Sequence, residues 1–330
     1  MSDSPALLPR PTLGCYSQLA ALQSSKIRSR HLNLPAVQIQ TSPIALSFGA
    51  ADPIGAIGIQ ADIATFAAMG CYGLSVVTAL MISDTTKIED MEITESDWVS
   101  DQARVVLEDM AVSAFKVGAV GSIENVSVIA EIVSDYPEIP LILDPFITAI
   151  PDDVQDGDDV LMAIRELLLP QATLLLLSAG ELDRLAETWR EPTLEDTLEV
   201  DALHVIELGC AFLLVTGTPG AIHEVTNTLY SDGGVIRQDS WPRLPGAFTG
   251  AGSTMSAAIA ALMANGLEAP EAVFEAQEFT HAALLGAQRL GMGKLIPDRY
   301  FWSREATQAI DADADADADI NAAPDAVPPH

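Results

Sequence analysis

Short apolar runs alternate with amphipathic stretches through most of this chain, and this alternation limits the possible folds more than any other feature. Between residues 43 and 302 the runs are typical of buried strands, and the stretches between them have helical spacing. Strands that alternate with helices form a mainly parallel sheet covered on both faces, a three-layer α/β architecture. Strands are expected at 44–48, 74–80, 115–120, 141–143, 174–177 and 212–215, with a hairpin formed by 229–231 and 235–237.

The two ends of the chain differ in composition from this middle region. Residues 1–42 contain several Ser and Arg and show no clear period, which predicts a loosely ordered extension. Residues 303–330 pass from an Asp-Ala alternation into Pro-rich sequence, which predicts a disordered acidic tail. The sequence therefore predicts one folded domain, residues 43–302, between two extensions.

Net charge, the length of apolar runs and cysteine content limit the possible partners and location of this chain. The formal net charge is -31, so phosphate backbones are repelled and nucleic-acid binding is not expected. No apolar run reaches the ~18–20 residues of a membrane span. Three scattered cysteines, Cys15, Cys71 and Cys210, have no metal-binding spacing, which favours a reducing, cytoplasmic compartment.

A glycine-rich loop near the C-terminal end of the domain is the strongest local motif. It reads Thr249-Gly250-Ala251-Gly252-Ser253-Thr254 and precedes good helix formers that predict a helix from Ser253 to Asn265. Free amides and the dipole at a helix N-terminus favour an anion, so this loop is a candidate phosphate site. An alternative stays open, in which Ser253 is the helix N-cap and the glycines serve the turn.

A second motif follows the first strand directly and opens the first helix. It runs from Ala51 to Asp62 and reads A-D-P-I-G-A-I-G-I-Q-A-D. Asp62 is expected one turn inside the helix, where its carboxylate could accept hydrogen bonds from a substrate. The alternative is that Asp62 only complements the helix dipole.

Polar residues within or just after the predicted strands form a third group. Lys116 lies within a strand, while Asp144 and Glu181 come just after two others. Because ligands bind beyond the carboxyl ends of such strands, these side chains could meet in one site. Carboxylates beside a phosphate loop suit a magnesium–nucleotide complex.

Together these motifs resemble those of the hydroxymethylpyrimidine and phosphomethylpyrimidine kinases of the ribokinase superfamily. The resemblance covers residues 43–302, and its most specific part is the stretch from Ala51 to Gly73. There the family has G-G-A-G where this chain has G-A-I-G. Supporting stretches are Thr78-Ala79-Leu80, Lys116-Val117-Gly118, Leu143-Asp144-Pro145 and the glycine loop.

The resemblance implies a ribokinase-like fold that uses ATP and Mg²⁺ to phosphorylate hydroxymethylpyrimidine or its phosphate in thiamine diphosphate synthesis. It also implies a homodimer. The implied catalytic loop is Gly250, Ala251, Gly252 and Ser253. The implied substrate positions are Ala50, Asp62, Ser83 and Ala119. The implied nucleotide and phosphate positions are Asp144, Glu181, Thr216 and Gly217, with Asp144 and Glu181 reaching Mg²⁺ through water.

Four positions depart from the family pattern. Ser253 stands where relatives have a Cys or an Asp base, and Ser83, Ser178 and Thr216 stand where they have Gln, Asn and Lys. A serine hydroxyl is a much poorer base than a carboxylate or thiolate. The sequence therefore leaves three functions open: an active pyrimidine kinase, a non-catalytic binder of pyrimidine or nucleotide, and a kinase for a pyridoxine-like alcohol.

Overall fold

The computed structural model describes residues 42–145, 157–190 and 197–304. Two compact units divide the chain, Thr41–Arg299 and a second made of Met1–Gln40 and Tyr300–His330. Of the second unit only 300–304 belong to the described residues. The predicted N-terminal extension and acidic tail therefore lie almost wholly outside the described residues, and both stay predictions.

A nine-stranded sheet forms the centre of the Thr41–Arg299 unit. Its order is β3-β2-β1-β4-β5-β6-β7-β8-β9. The six neighbouring strands β2, β1, β4, β5, β6 and β7 run parallel. At one edge β3 pairs antiparallel with β2, and at the other β8 pairs antiparallel with β7 and β9 pairs antiparallel with β8. The strands are β1 Ile44–Ala51, β2 Tyr72–Ser83, β3 Ile88–Ile93, β4 Ala114–Val117, β5 Leu141–Leu143, β6 Leu174–Ser178, β7 Phe212–Thr218, β8 Glu224–Ser231 and β9 Gly234–Pro242.

Eight α-helices lie on the two faces of the sheet within the described part of this unit. They are α1 Gly58–Ala68, α2 Ser96–Asp109, α3 Ile123–Ser134, α4 Gly157–Ala163, α5 Ala179–Ala186, α6 Leu198–Glu207, α7 Ala251–Ala264 and α8 Ala269–Leu285. A π-helical turn, Ile164–Leu168, continues α4. None of the described helices is long and apolar enough to cross a membrane.

Side-chain alternation along the strands separates the two helical layers. Leu46 and Phe48 of β1, and Phe115 and Val117 of β4, belong to one core shared with helices α2 to α6. The intervening side chains point to the opposite face, because successive residues of a strand alternate. Helices α1 and α7 pack there against β1, and α8 packs on α7. The predicted α/β fold with a mainly parallel sheet is confirmed.

Two local features differ from the predictions, each for an identifiable reason. Strand β3 was missed because it is a polar edge strand, with side chains that are exposed or half-buried. Helix α7 begins at Ala251, before the predicted start at Ser253, because Gly250 is its N-cap.

Candidate active site

A cavity of about 750 Å³ lies beyond the carboxyl ends of the parallel strands. Residues that follow β1, β2, β5 and β6 line it together with the loop that enters α7. The volume falls within the range of small-molecule sites, and the position is the one that open α/β sheets use for ligands.

The glycine loop brings a helix N-terminus to this cavity. Gly250 has φ +91°, and a Cβ there would lie 1.9 Å from the carbonyl oxygen of Ala56. Only glycine therefore fits. The first backbone bond of α7 runs from the Thr254 amide to the Gly250 carbonyl, so the three preceding amides have no acceptor within the helix. The N-cap interpretation of Ser253 was wrong, because that residue lies inside the first turn and makes no capping bond.

Asp52 shapes the loop that follows β1. Its Oδ2 accepts hydrogen bonds from the amides of Ala56 and Ile57, at 2.9 and 3.0 Å. Its Oδ1 accepts bonds from the amide of Ile54 at 3.2 Å and from Ser83 Oγ at 2.6 Å. Ser83, a predicted substrate position, lines the cavity but already donates to Asp52.

Arg299 joins the two glycine-containing motifs. The side chain is only 5% exposed. Its Nε donates to Thr254 Oγ1 at 3.1 Å, and its Nη2 and Nη1 donate to the carbonyl oxygens of Ala56 and Gly55, at 2.6 and 3.2 Å. The guanidinium thus ties the first turn of α7 to the loop after β1 and adds positive charge beneath the glycine loop.

Asp62 takes part in a buried ion pair. It is fully buried on α1, and both of its carboxylate oxygens lie 2.9 Å from Lys116 Nζ. Ser47 Oγ donates to Oδ2 at 2.6 Å. Lys116 reaches this face because it alternates with Phe115 and Val117 along β4. Asp62 does not line the cavity, so its predicted contact with substrate stays a prediction.

Asp144 lines the cavity directly after β5. Its Oδ2 accepts a hydrogen bond from Ser256 Oγ at 2.7 Å and lies 3.9 Å from Lys116 Nζ. Burial raises the pKa of Asp144 to about 6, although Lys116 and the Ser256 hydrogen bond act to lower it. A cation that enters the cavity would therefore stabilise the ionised form of this carboxylate.

Glu181 lines the same cavity from the first turn of α5. It forms a capping box with Ser178, in which Oε2 accepts from the Ser178 amide and hydroxyl, both at 2.8 Å. Ser178 Oγ in turn accepts from the Glu181 amide at 3.2 Å. Ser178 thus holds this carboxylate at the start of the helix.

A second cavity, of about 370 Å³, shares Thr216 and Gly252 with the first and extends toward β9. Gly217 and Gln277 are among the residues that line it. Gln277 Oε1 accepts hydrogen bonds from Asn227 Nδ2 at 2.8 Å and from Trp241 Nε1 at 3.0 Å. Its apolar wall and its position beside the glycine loop suit a flat heterocycle attached to a phosphate chain.

The predicted site residues differ in where they lie relative to the two cavities. Seven of them line the large cavity, namely Ser83, Asp144, Glu181, Thr216, Gly250, Ala251 and Gly252. Gly217 lines only the second cavity. Ala50 and Ala119 are buried in an apolar cluster, and Asp62 and Ser253 lie outside both linings. Sequence reasoning missed four residues in or beneath the lining: Asp52, Lys87, Lys294 and Arg299.

Known proteins are similar to this chain in sequence and in fold. A family model described as phosphomethylpyrimidine kinase matches residues 52–298. A hydroxymethylpyrimidine/phosphomethylpyrimidine kinase of Rhizobium meliloti is 34% identical over 259 residues, which cover 76% of this chain and 94% of the relative. A protein of the same name from Escherichia coli is 30% identical over 250 residues, which cover 76% of this chain and 93% of the relative.

Solved structures agree at the level of the fold. The structure of an ADP complex of Bacillus subtilis pyridoxal kinase superposes with a TM-score of 0.69 at 23% identity, covering 80% of this chain and 99% of that one. The fold is the ribokinase-like α/β fold of small-molecule kinases such as this pyridoxal kinase. Within that class, the chain belongs to the phosphomethylpyrimidine kinase family.

Proposed function

We propose that this protein is an ATP- and Mg²⁺-dependent kinase that phosphorylates hydroxymethylpyrimidine or its phosphate in thiamine diphosphate synthesis. The observation that carries the proposal is the N-terminus of α7, which opens onto a cavity lined by Asp144 and Glu181 in a chain of this family. The N-terminus of α7 suits the transferred phosphoryl group, and the two carboxylates suit the metal ion that accompanies it.

The glycine loop supplies the main stabilisation of the transferred group in this proposal. Charge in the transition state of phosphoryl transfer lies mostly on the phosphoryl oxygens, so catalysis depends on position and electrostatics. The unbonded amides at the start of α7 are fixed donors for those oxygens. Arg299 holds Ala56 and Thr254 in place beneath them, so the donors need not reorganise during transfer.

Asp144 and Glu181 have the oxygen donors that Mg²⁺ prefers. In the described part of the chain no three His, Cys, Asp or Glu side chains form a protein-only metal cluster. Two carboxylates suit Mg²⁺, which keeps water and phosphate oxygens among its ligands. When bound, the ion would neutralise phosphate charge, and the raised pKa of Asp144 would return toward its ordinary value.

The two cavities suit two ligands. We assign the pyrimidine to the large cavity beside Ser83, and the ATP base to the second cavity beside Gly217. The glycine loop lies where the two meet, and both cavities include Gly252. This arrangement would bring the γ-phosphate between donor and acceptor. The homodimer and cytoplasmic location stay predictions from the sequence.

A coupled ATPase assay tests the proposal with three acceptors: hydroxymethylpyrimidine, its monophosphate and pyridoxine. Phosphorylated products are identified by mass. Ser253→Cys, alone and with Thr216→Lys, introduces the groups that the family resemblance implies at these positions, and we expect turnover of the alcohols to rise by about 10²-fold or more. The matched control is Ser127→Cys on the exposed side of α3, which should leave rates unchanged.

Two results would contradict the proposal. One is the absence of product from every acceptor with all of these proteins, while ATP still binds by calorimetry. That result would identify a non-catalytic nucleotide binder. The other is phosphorylation of pyridoxine alone, which would identify the pyridoxine-type kinase left open by the short Ser83 side chain.

A further inference from the structure

The charged groups that line the large cavity are unevenly distributed. Among the described residues its lining includes four carboxylates, of Asp52, Asp84, Asp144 and Glu181, and two cationic side chains, Lys87 and Lys294. Lys116 is adjacent but is committed to Asp62. In a chain of net charge -31, an anionic acceptor therefore depends on these two lysines and on the α7 amides.

The backbone of Lys294 is held in place from two sides. Its amide donates to the Thr85 carbonyl at 2.8 Å, and the Gly293 amide donates to Thr85 Oγ1 at 2.9 Å. The next residue, Leu295, exchanges backbone bonds with Ala247 and Thr249, each at 2.9 Å. Lys294 is thus fixed between the β2–β3 loop and the segment that enters the glycine loop.

This attachment requires close packing. A Cβ at Gly293 would lie 2.4 Å from the Thr85 carbonyl oxygen, so any larger residue would displace the β2–β3 loop. Within the described chain, no carboxylate lies within 4.0 Å of the Lys294 ammonium. Lys87 lies on the same loop as Thr85 and pairs with Glu89 at 3.2 Å, both largely exposed. Lys294 is therefore available to a ligand, with Lys87 nearby.

The position of the lysines assigns them to the acceptor end of the cavity. Thr85 follows β2, while Glu181 follows β6, four strands away in the sheet. Four strand spacings amount to about 19 Å. The second cavity, which we assigned to the nucleotide base, lies beyond β6. An anion held by Lys294 is thus more naturally part of the acceptor than of ATP.

The residues in the first turn of α7 also favour an acceptor that carries a phosphate group. Residues 249–254 include no carboxylate, thiol or imidazole, and an alcohol must lose a proton before or during attack. A phosphate monoester, whose second pKa is about 6, is already largely a dianion at pH 7. Its oxygen can attack the γ-phosphorus directly: one P–O bond forms, the bond to ADP breaks, and no proton needs an acceptor.

We infer that Lys294, assisted by Lys87, binds the phosphate group of the acceptor, and that this kinase is specialised for the pyrimidine monophosphate rather than the alcohol. The inference rests on the proposed function and names its acceptor class. The positive charge of Lys294 favours the phosphorylated acceptor, whereas the lack of a base in the first turn of α7 slows only the reaction of the alcohol.

Kinetics with the two acceptors test this inference. We expect kcat/KM for the monophosphate to exceed that for the alcohol by at least about tenfold. Lys294→Gln should lower kcat/KM for the monophosphate about 10- to 100-fold, mainly through KM. A change of this size corresponds to the loss of one charge-assisted hydrogen bond. Alcohol turnover and the KM for ATP should change less than about threefold. Lys294→Arg should retain most activity, and Arg104→Gln, distant on α2, controls for net charge.

Calorimetry without ATP separates failure of this inference from failure of the proposed function. If no acceptor is phosphorylated but Lys294→Gln still weakens binding of the monophosphate, the kinase activity is refuted and the phosphate site stands. Equal losses for both acceptors, a raised KM for ATP, or unchanged monophosphate binding in Lys294→Gln would each overturn the inference. Inorganic phosphate serves as a probe of the site without the pyrimidine.

Discussion

The buried pair of Asp62 and Lys116 gives the sharpest prediction about what stabilises the site. Lys116 is 1% exposed, and Asp62 is fully buried. Removing one member of a buried ion pair typically costs ~3–5 kcal/mol, because the other charge is left in a poorly solvating interior. We expect Lys116→Met to fall in this range, since it leaves Asp62 with Ser47 and deprives Asp144 of its nearby cation.

Asp62→Asn should lower the free energy of unfolding somewhat less than Lys116→Met does, because Lys116 keeps Asp144 as a partner at 3.9 Å. The double variant should cost less than Lys116→Met alone, because it removes both charges together. For a domain of this size, ~4 kcal/mol corresponds to a fall in Tm of roughly 8–16 °C. Urea unfolding of the four proteins in a double-mutant cycle measures the coupling directly.

The control is the surface pair of Arg104 and Glu131, whose side chains are 42% and 70% exposed. Arg104→Met should cost less than about 1 kcal/mol. If the double variant of the buried pair costs the sum of its single variants, the two charges are not coupled and the reasoning is refuted. The Kd of each folded variant for the pyrimidine separately tests whether Asp62 also contacts substrate.

Two further predictions concern the rest of the cavity. Because the folded-state pKa of Asp144 is raised to about 6, the metal-free protein should lose stability from this group as the pH rises from about 4 to 6. Asp144→Asn should abolish this dependence of stability on pH, measured by urea unfolding with a chelator present. The same variant should raise stability at pH 7 by on the order of 1–3 kcal/mol. An unchanged dependence on pH would contradict the raised pKa of Asp144. Gly250→Ala should cost at least ~2 kcal/mol and abolish nucleotide binding, since it combines a positive φ with a Cβ 1.9 Å from the Ala56 carbonyl oxygen. Gly252→Ala, whose Cβ would meet nothing within 4 Å, is the matched control for stability, and equal losses in thermal unfolding would contradict the packing argument.

Features set by local sequence were predictable. The apolar strands and the helix after the glycine loop follow from hydrophobic period and helix propensity, which need no tertiary information. The hairpin of β8 and β9 was predicted from its local sequence, although both strands extend further than expected. The carboxyl-end rule correctly brought Asp144, Glu181 and the glycine loop to one cavity.

Contacts between distant segments were not predictable from one sequence. Lys116 and Asp62 are 54 residues apart, and their pairing depends on the register of β4 and the orientation of α1. Arg299 lies 243 residues from Ala56, and nothing in its local sequence indicates a buried guanidinium. Lys294 joins the site through Thr85, in a loop whose neighbouring strand β3 was itself not predicted. In each case the missing information is three-dimensional rather than chemical.

The global charge and the local charges of this protein act over different distances. At physiological ionic strength, exposed charges are screened beyond about 8 Å, so most of the acidic surface has little influence inside the cavity. The groups that decide anion binding are therefore Lys294, Lys87, the α7 amides and the buried Arg299. None of these cations lies at Thr216. A phosphorylated acceptor adds two negative charges at the β2 end of the cavity, where the lysines lie, and brings its own nucleophilic oxygen. The absence of a cation at Thr216 and of a base at Ser253 is therefore least unfavourable for the acceptor that the lysines favour.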